Sequence, residues 1–306
     1  MTHYQLVASN KRKSVTIIFL FIAFIVGAAY LMAEGFGFPL SFVGWALILS
    51  GIMSFFSYYY SDKIILTMSG AREAKREEFF DFYTVTENLC LGQKMPLPKL
   101  YVIEDSAMNA FATGRDPQHA VVCATTGLLR RLNRSEVEAV VAHELSHIKN
   151  YDMLLMSVVS ILVGFIALLA DWMLRMSFFG HSDNRRENNG GQLGAIMAVA
   201  ALVLAILSPF VAQLIQLAIS RRREFLADAS AAAMNKNPEA LVRALEKISN
   251  DHEPLEAANK ATAHLYISDP LKNTKGLLHT FAGLFNTHPP VAARVQALRQ
   301  IAQQQS

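Results

Sequence analysis

The 306-residue sequence has two cysteines, Cys90 and Cys123, and few charges, with Asp, Glu, Lys and Arg making up 17% of it. Two cysteines cannot staple a disulfide scaffold, so the fold needs no oxidising compartment. The net charge of +3 is small and forms no long basic stripe, which sets nucleic acid aside as a partner. No G-x-x-x-x-G-K-[ST] run occurs, hence no recognisable ATP-driven motor, and there is no repeat or low-complexity tract. What the chain has instead is apolar surface: 52% of its residues are hydrophobic and its mean hydropathy is +0.26. That excludes a disordered chain and exceeds an ordinary soluble enzyme. The composition points to a membrane.

The apolar excess gathers in four runs. Residues 15–33 and 40–60 contain no charged side chain. At a rise of ~1.5 Å per residue, each can cross a hydrocarbon core of ~30 Å. Residues 153–170 form a third, shorter run ending at Asp171, and residues 193–219 a fourth with Pro209, Gln213 and Gln216 toward its end. The competing reading of the last two is buried core helices. The first run follows Lys11, Arg12 and Lys13 as a signal core would. It is too long for one, lacks a small-x-small cleavage site and is soon followed by a second span, so we read a retained anchor.

Lys and Arg orient these runs. Three precede the first run and none lies in 34–39, whereas Lys63, Arg72, Lys75 and Arg76 follow the second. Lys149 precedes the third, Arg221, Arg222 and Arg223 follow the fourth, and Arg175, Arg185 and Arg186 lie between. The positive-inside rule places both termini and residues 61–152 in the cytoplasm. The expected organisation is therefore a cytoplasmic N-terminus (1–14), a two-span anchor (15–60), a first cytoplasmic half (61–152), a transmembrane hairpin (153–219) and a second cytoplasmic half (220–306). The hairpin returns the chain to the side it left.

Within the first half, 71–92 is a charged, helix-like stretch. Strand-like runs at 100–103 and 120–124 follow, with Asn109-Ala-Phe-Ala-Thr-Gly114 between them. Residues 237–249 and 290–304 read as amphipathic helices.

The local signal for chemistry is His143-Glu144-Leu145-Ser146-His147. Ser135 and Glu138 predict a capping box for its helix, and Val137, Val140, Val141, Leu145 and Ile148 supply apolar contacts. Residues four apart stack on one helix face, so both imidazoles can bind one ion. Glu144, offset by about 100°, cannot be an equivalent ligand but can reach a water activated by that ion. HExxH arises by chance in about one to two such chains per hundred, so it needs support. A catalytic zinc site usually takes a third protein ligand. Glu224, within Arg221-Arg-Arg-Glu-Phe-Leu-Ala-Asp228, is the candidate, with Asp228 one turn on accepting the second N–H of a ligand histidine. The competing reading has Glu224 and Asp228 balancing Arg221, Arg222 and Arg223 at the surface. Ser146 faces another side of the helix as packing. Cys123 reads as inert core, and neither it nor His119 has a partner the sequence can name.

Taken in order, these motifs resemble the HtpX-type membrane zinc metalloproteases, a family shared with the type I CAAX prenyl endopeptidases. The resemblance covers nearly the whole chain. It comprises the two N-terminal spans, Asn109 to Gly114, Ala142-His-Glu-Leu-Ser-His-Ile-Lys-Asn-Tyr-Asp-Met153, Ser220 to Asp228, and Thr287-His-Pro-Pro290 with Arg294. It implies a mainly α integral membrane protein: four transmembrane helices and a cytoplasmic α+β zincin-like (gluzincin) protease domain carrying a small sheet. It implies one Zn2+ per chain on His143, His147 and Glu224, with Glu144 as catalytic base. It further implies that 109–112 form an edge strand able to pair with an extended substrate. His288 and Arg294 would support the site, either from behind the ligands or by contacting the substrate carbonyl, where a cationic donor can steady an oxyanion; the competing reading of His288 and its prolines is a helix start.

The implied function is zinc-dependent cleavage of membrane or misfolded proteins at the cytoplasmic face of the inner (plasma) membrane, in quality control and stress response. Its partners are protein substrates and the lipid bilayer, with neither nucleic acid nor ATP. The alternatives are a prenyl-protein endopeptidase-like enzyme, which in those relatives uses more spans to build a lipid chamber, and a non-catalytic zinc-binding membrane scaffold, which would have no use for Glu144.

Overall fold

The computed structural model describes residues 3–36, 39–162, 221–257, 262, 265–268 and 289–305. The chain opens with a helix, His3–Phe36, that carries the basic residues and the first apolar run in one rod. No proline or glycine precedes Gly27 to interrupt it. Beyond Pro39 a second helix, Ser41–Tyr59, packs back along the first. Ser41–Tyr59 is long and apolar enough to cross a membrane. Its polarity is the reverse of a soluble helix: Trp45 and Phe55 are exposed, while Ser50, Ser54 and Ser57 are buried. That pattern suits a solvent as apolar as the side chains facing it. Ser57 Oγ donates to the Val158 carbonyl at 3.2 Å and so ties this helix to the apolar helix Asp152–Leu162, the described part of the third run. The rest of that run and all of the fourth, 193–219, lie outside the described residues.

A four-stranded sheet follows: β1 (Arg72–Glu73), β2 (Lys99–Ile103), β3 (Ala110–Thr113) and β4 (Val121–Thr125), in the order β1-β2-β4-β3. The central pair is parallel and both outer pairs are antiparallel. The strands expected at 100–103 and 120–124 are thus β2 and β4. The helix expected over 71–92 is a correction: the segment begins as β1, turns, and becomes helical only at Phe80–Gln93. Its early charges serve a strand and a turn. The Ala74 N–H donates to the Leu100 carbonyl at 2.9 Å, while Arg72 reaches both Glu78 and Glu104 at 2.6 Å.

β3 is an edge strand. The Thr125 N–H donates to the Asn109 carbonyl at 3.0 Å, so by alternation the main-chain groups of Ala110 and Ala112 face away from β4. The Ala110 carbonyl accepts the Ile267 N–H at 3.0 Å. Gly114 ends the strand at φ 130°, where an added Cβ would lie 2.3 Å from the His119 carbonyl oxygen, so only glycine fits.

The helix Arg134–Asn150 runs through the centre of the domain, between β3 and the helices Phe80–Gln93, Arg221–Asn235 and Pro238–Ser249. From Glu136 to Asn150 only Glu138 and Lys149 are not buried. Its capping box exists, but two residues earlier than Ser135 and Glu138 suggest. Asn133 Oδ1 accepts the Glu136 N–H and Glu136 Oε2 accepts the Asn133 N–H, both at 3.0 Å, while Ser135 Oγ donates to Asn133 Oδ1 at 2.8 Å. Helical geometry begins at Arg134, so Ser135 already lies inside the first turn. The two C-terminal amphipathic helices form where expected, as Pro238–Ser249, capped by Asn237, and Val291–Gln305.

Candidate metal centre

Four residues apart on the central helix, His143 and His147 bring their Nε2 atoms to 3.2 Å of each other. The Glu224 carboxylate closes the triangle, 3.7 Å from His143 Nε2 and 3.5 Å from His147 Nε2. One ligand atom from each of the three thus lies within 4.8 Å of the others, and all three residues are buried. A tetrahedral ion with metal–nitrogen bonds of ~2.0–2.1 Å holds its ligand atoms about 3.4 Å apart. The Nε2–Nε2 separation lies near that value, and each imidazole nitrogen has one of the two Glu224 oxygens at a similar distance. Neither Glu224 nor Asp228 is a surface group balancing its neighbours: they are 2% and 1% exposed, whereas Arg221 and Arg222 are exposed.

Charge gives a second test of fit. Among the described residues, Glu144, Asp152, Glu224 and Asp228 are buried around the histidines with two buried guanidinium groups, Arg223 and Arg294. The group is left two negative charges in excess, which one divalent cation held by neutral imidazoles would neutralise. His147 registers this imbalance; His143 does not. Burial disfavours the cation on His147, but Asp152, Glu224 and Glu144 outweigh it and raise its pKa to about 9. On His143 burial prevails, reinforced by Arg294, and its pKa is lowered despite Asp228. The donor set and its field fit a divalent metal such as zinc.

The residues behind the histidines differ. Asp228 Oδ1 lies 3.0 Å from His143 Nδ1, close but poorly aligned for an N–H···O bond. Asp228 is itself gripped by Arg294, whose Nε and Nη2 donate to its two oxygens at 2.8 and 2.6 Å. Arg294 Nη1 donates to the Ile267 carbonyl at 3.1 Å and lies 3.8 Å from Glu224. Sequence reasoning gave Arg294 a supporting role behind the ligands or at an oxyanion; in the structure it is fully buried, bonds Asp228 and the Ile267 carbonyl, and brings Nη2 to 3.5 Å from His143 Nε2. His288 lies outside the described residues.

Behind His147 stands Asp152, whose Oδ2 is 3.3 Å from His147 Nδ1. Asp152 belongs to the extended motif, yet the sequence assigned it no role. The available signal was an acidic residue just past the end of the HExxH helix, reached by the left-handed turn at Tyr151 (φ 59°). Asn10 Nδ2, from the first helix, donates to Asp152 Oδ1 at 2.6 Å, and nothing in the sequence could have signalled a contact across 142 positions.

Glu144 is buried beside the histidines. Burial first, and then the nearby Glu144 carboxylate, push the Cys123 thiol well above its ordinary pKa, which suits inert core and no nucleophile. Ser146 is buried packing, and His119 pairs with Asp116 at 2.7 Å.

A family profile, Peptidase family M48, matches residues 79–302. The chain is 40% identical over 300 residues to a protease HtpX homolog of Caldanaerobacter subterraneus subsp. tengcongensis, covering 98% of each chain. It is 42% identical over 306 residues to one of Dictyoglomus turgidum, covering 99% of this chain and 96% of that one. Among solved structures it is similar to the crystal structure of S. mikatae Ste24p, with a TM-score of 0.50 and 20% identity. That match covers 96% of this chain and 67% of the other.

Proposed function

Since the chain belongs to Peptidase family M48 and is a metalloendopeptidase, we propose that it uses one Zn2+ to hydrolyse peptide bonds of membrane or misfolded proteins at the cytoplasmic face of the inner membrane, in envelope quality control and the stress response. The observation that carries this reading is the convergence of His143 and His147 with the carboxylate of Glu224, from a separate helix.

His143, His147 and Glu224 are the residues that would hold the ion. When bound, such an ion supplies Lewis acidity to the scissile carbonyl and makes water a nucleophile near neutral pH. Glu144, adjacent in sequence and on a different helix face, takes the proton from that water and returns it to the leaving amine. Asp152 holds the back of the His147 imidazole, and Asp228, clamped by Arg294, stands behind that of His143. An extended substrate adds to the β3 edge, where Ala112 turns its main-chain groups outward. Reading backbone in this way suits varied, loosely folded substrates.

Membrane attachment rests on the exposed apolar faces of the first two helices. Asn10 touches the centre's surroundings five residues before the first apolar run, or ~7.5 Å along a helix. The reaction therefore takes place close beneath the bilayer surface, on the side assigned by the Lys and Arg bias. Four spans and the division at residues 14, 60, 152 and 219 complete the proposal.

The test uses the purified full chain, zinc-loaded, with an unfolded membrane protein as substrate and Glu144→Gln as control. The variant should keep its ion and lose roughly 10²–10⁴ of the cleavage rate. Wild-type protein that retains zinc and cleaves nothing would make this a binding scaffold. Cleavage confined to prenylated peptides would instead make it a prenyl-protein endopeptidase.

A further inference from the structure

We infer that Asn10, on the first helix, is a positioning residue for the metal centre: it fixes the Asp152 carboxylate and through it the ring of His147. This rests on the reading of His147 as a metal ligand. Asn10 is 3% exposed although it lies among the charged residues that precede the first apolar run. Its side-chain amide has two N–H donors, and Nδ2 bonds both the Asn150 carbonyl, at 2.9 Å, and Asp152 Oδ1, at 2.6 Å.

Each of these contacts does something definite. Asn150 is the last residue of the HExxH helix, where carbonyls have lost their intrahelical partners, so Asn10 caps that end. Tyr151 then turns the chain through a left-handed conformation, and Lys11 Nζ stands over its ring at 4.2 Å. Asp152 emerges directly beneath His147. With Oδ1 held by Asn10, and Arg223 within 3.6 Å of the same oxygen, Oδ2 is aimed at His147 Nδ1. A carboxylate held at one oxygen can orient an imidazole with the other; an untethered one swings with its own torsions. The amide is also the suitable group, because an aspartate at position 10 would set a second anion against Asp152. The first helix, whose apolar stretch is its membrane-facing part, thereby contributes directly to the geometry of a ligand more than a hundred residues away in sequence.

Such outer partners typically contribute 10–100-fold to metal affinity. The experiment measures zinc affinity of the full chain by competition with a chromogenic chelator, and the visible absorption of the cobalt-substituted protein, for wild type, Asn10→Ala and Ile17→Ala. Ile17 is buried two turns further along the same helix and carries no polar side-chain group, so its variant loosens the helix by packing alone. Asn10→Ala should weaken zinc binding 10–100-fold and shift the cobalt bands, while Ile17→Ala stays within about twofold of wild type at equal folded fraction. Should Asn10→Ala not fold, Asn10→Ser, which keeps one donor, should give an intermediate loss. Zinc affinity of the Asn10 variants within twofold of wild type, or an equal loss in Ile17→Ala, would overturn the inference while leaving the ligand assignment standing. Wild-type protein that binds no zinc would overturn both.

Discussion

Replacing Arg294 with methionine should destabilise the protein far more than an ordinary charge deletion, because its partner cannot escape to water. Arg294 and Asp228 are each 1% exposed and share two hydrogen bonds of 2.6 and 2.8 Å. Burial by itself would raise the Asp228 carboxyl, but the guanidinium holds it below its ordinary value. The variant strands that carboxylate close to Glu224 in an interior already short of positive charge. Breaking such a buried pair from one side costs about 3–5 kcal/mol, against roughly 0–1 for an exposed pair. At about 1.4 kcal/mol per decade, the folded fraction relative to unfolded falls by roughly 10²–10³ or more. The assay is denaturant unfolding of the full chain in detergent, followed by helix content, with chelator present so that ion binding does not contribute. Asp228→Asn and the double variant complete a cycle. The double variant should lose much less than the sum of the singles, giving a coupling of roughly 2 kcal/mol. Additivity within about 0.5 kcal/mol would show that the pair is a neighbour relation and not an energetic one.

Three further outcomes follow from other parts of the fold. Burial would raise Asp251, but the N–H groups of Met108 and Glu253 and the Arg131 guanidinium depress its pKa. A depressed carboxyl stabilises above its unfolded pKa of ~3.9 and loses that contribution as pH falls through the folded value. Asp251→Asn should therefore cost roughly 1–3 kcal/mol at neutral pH, and acid titration of both proteins should close the gap below about pH 4. Gly127→Ala would put a Cβ 2.0 Å from the Ser106 carbonyl oxygen, backbone against backbone, and should cost about 1–3 kcal/mol or more in the same unfolding assay. Cys90 and Cys123 are buried, with the Cys90 thiol pushed up to about 11, so thiol labelling of intact vesicles has little background. Ser182→Cys should react with an impermeant reagent from the face opposite to the one that labels Lys99→Cys; labelling of both from one face would remove the transmembrane hairpin.

Much of this protein is legible one residue after another. The charge-free stretches, the His143 to His147 spacing and the amphipathic C-terminal helices are short-range patterns whose physics is periodicity: 3.6 residues per turn puts two imidazoles on one face whatever surrounds them. Where local charge was ambiguous, local reasoning failed. Arg72 and Glu73 look like helix surface until β2 offers them a strand partner, and Ser135 looks like a cap until Asn133 takes that position first.

Tertiary structure alone decided which of the many carboxylates and guanidinium groups would share the interior. Arg294 closes on Asp228 with two hydrogen bonds, and Asn10 reaches from the first helix to Asp152. Each of these contacts joins residues separated by at least 66 positions, a distance over which sequence carries no geometric memory. They form because a buried charge or amide must find a partner wherever the packed chain happens to present one.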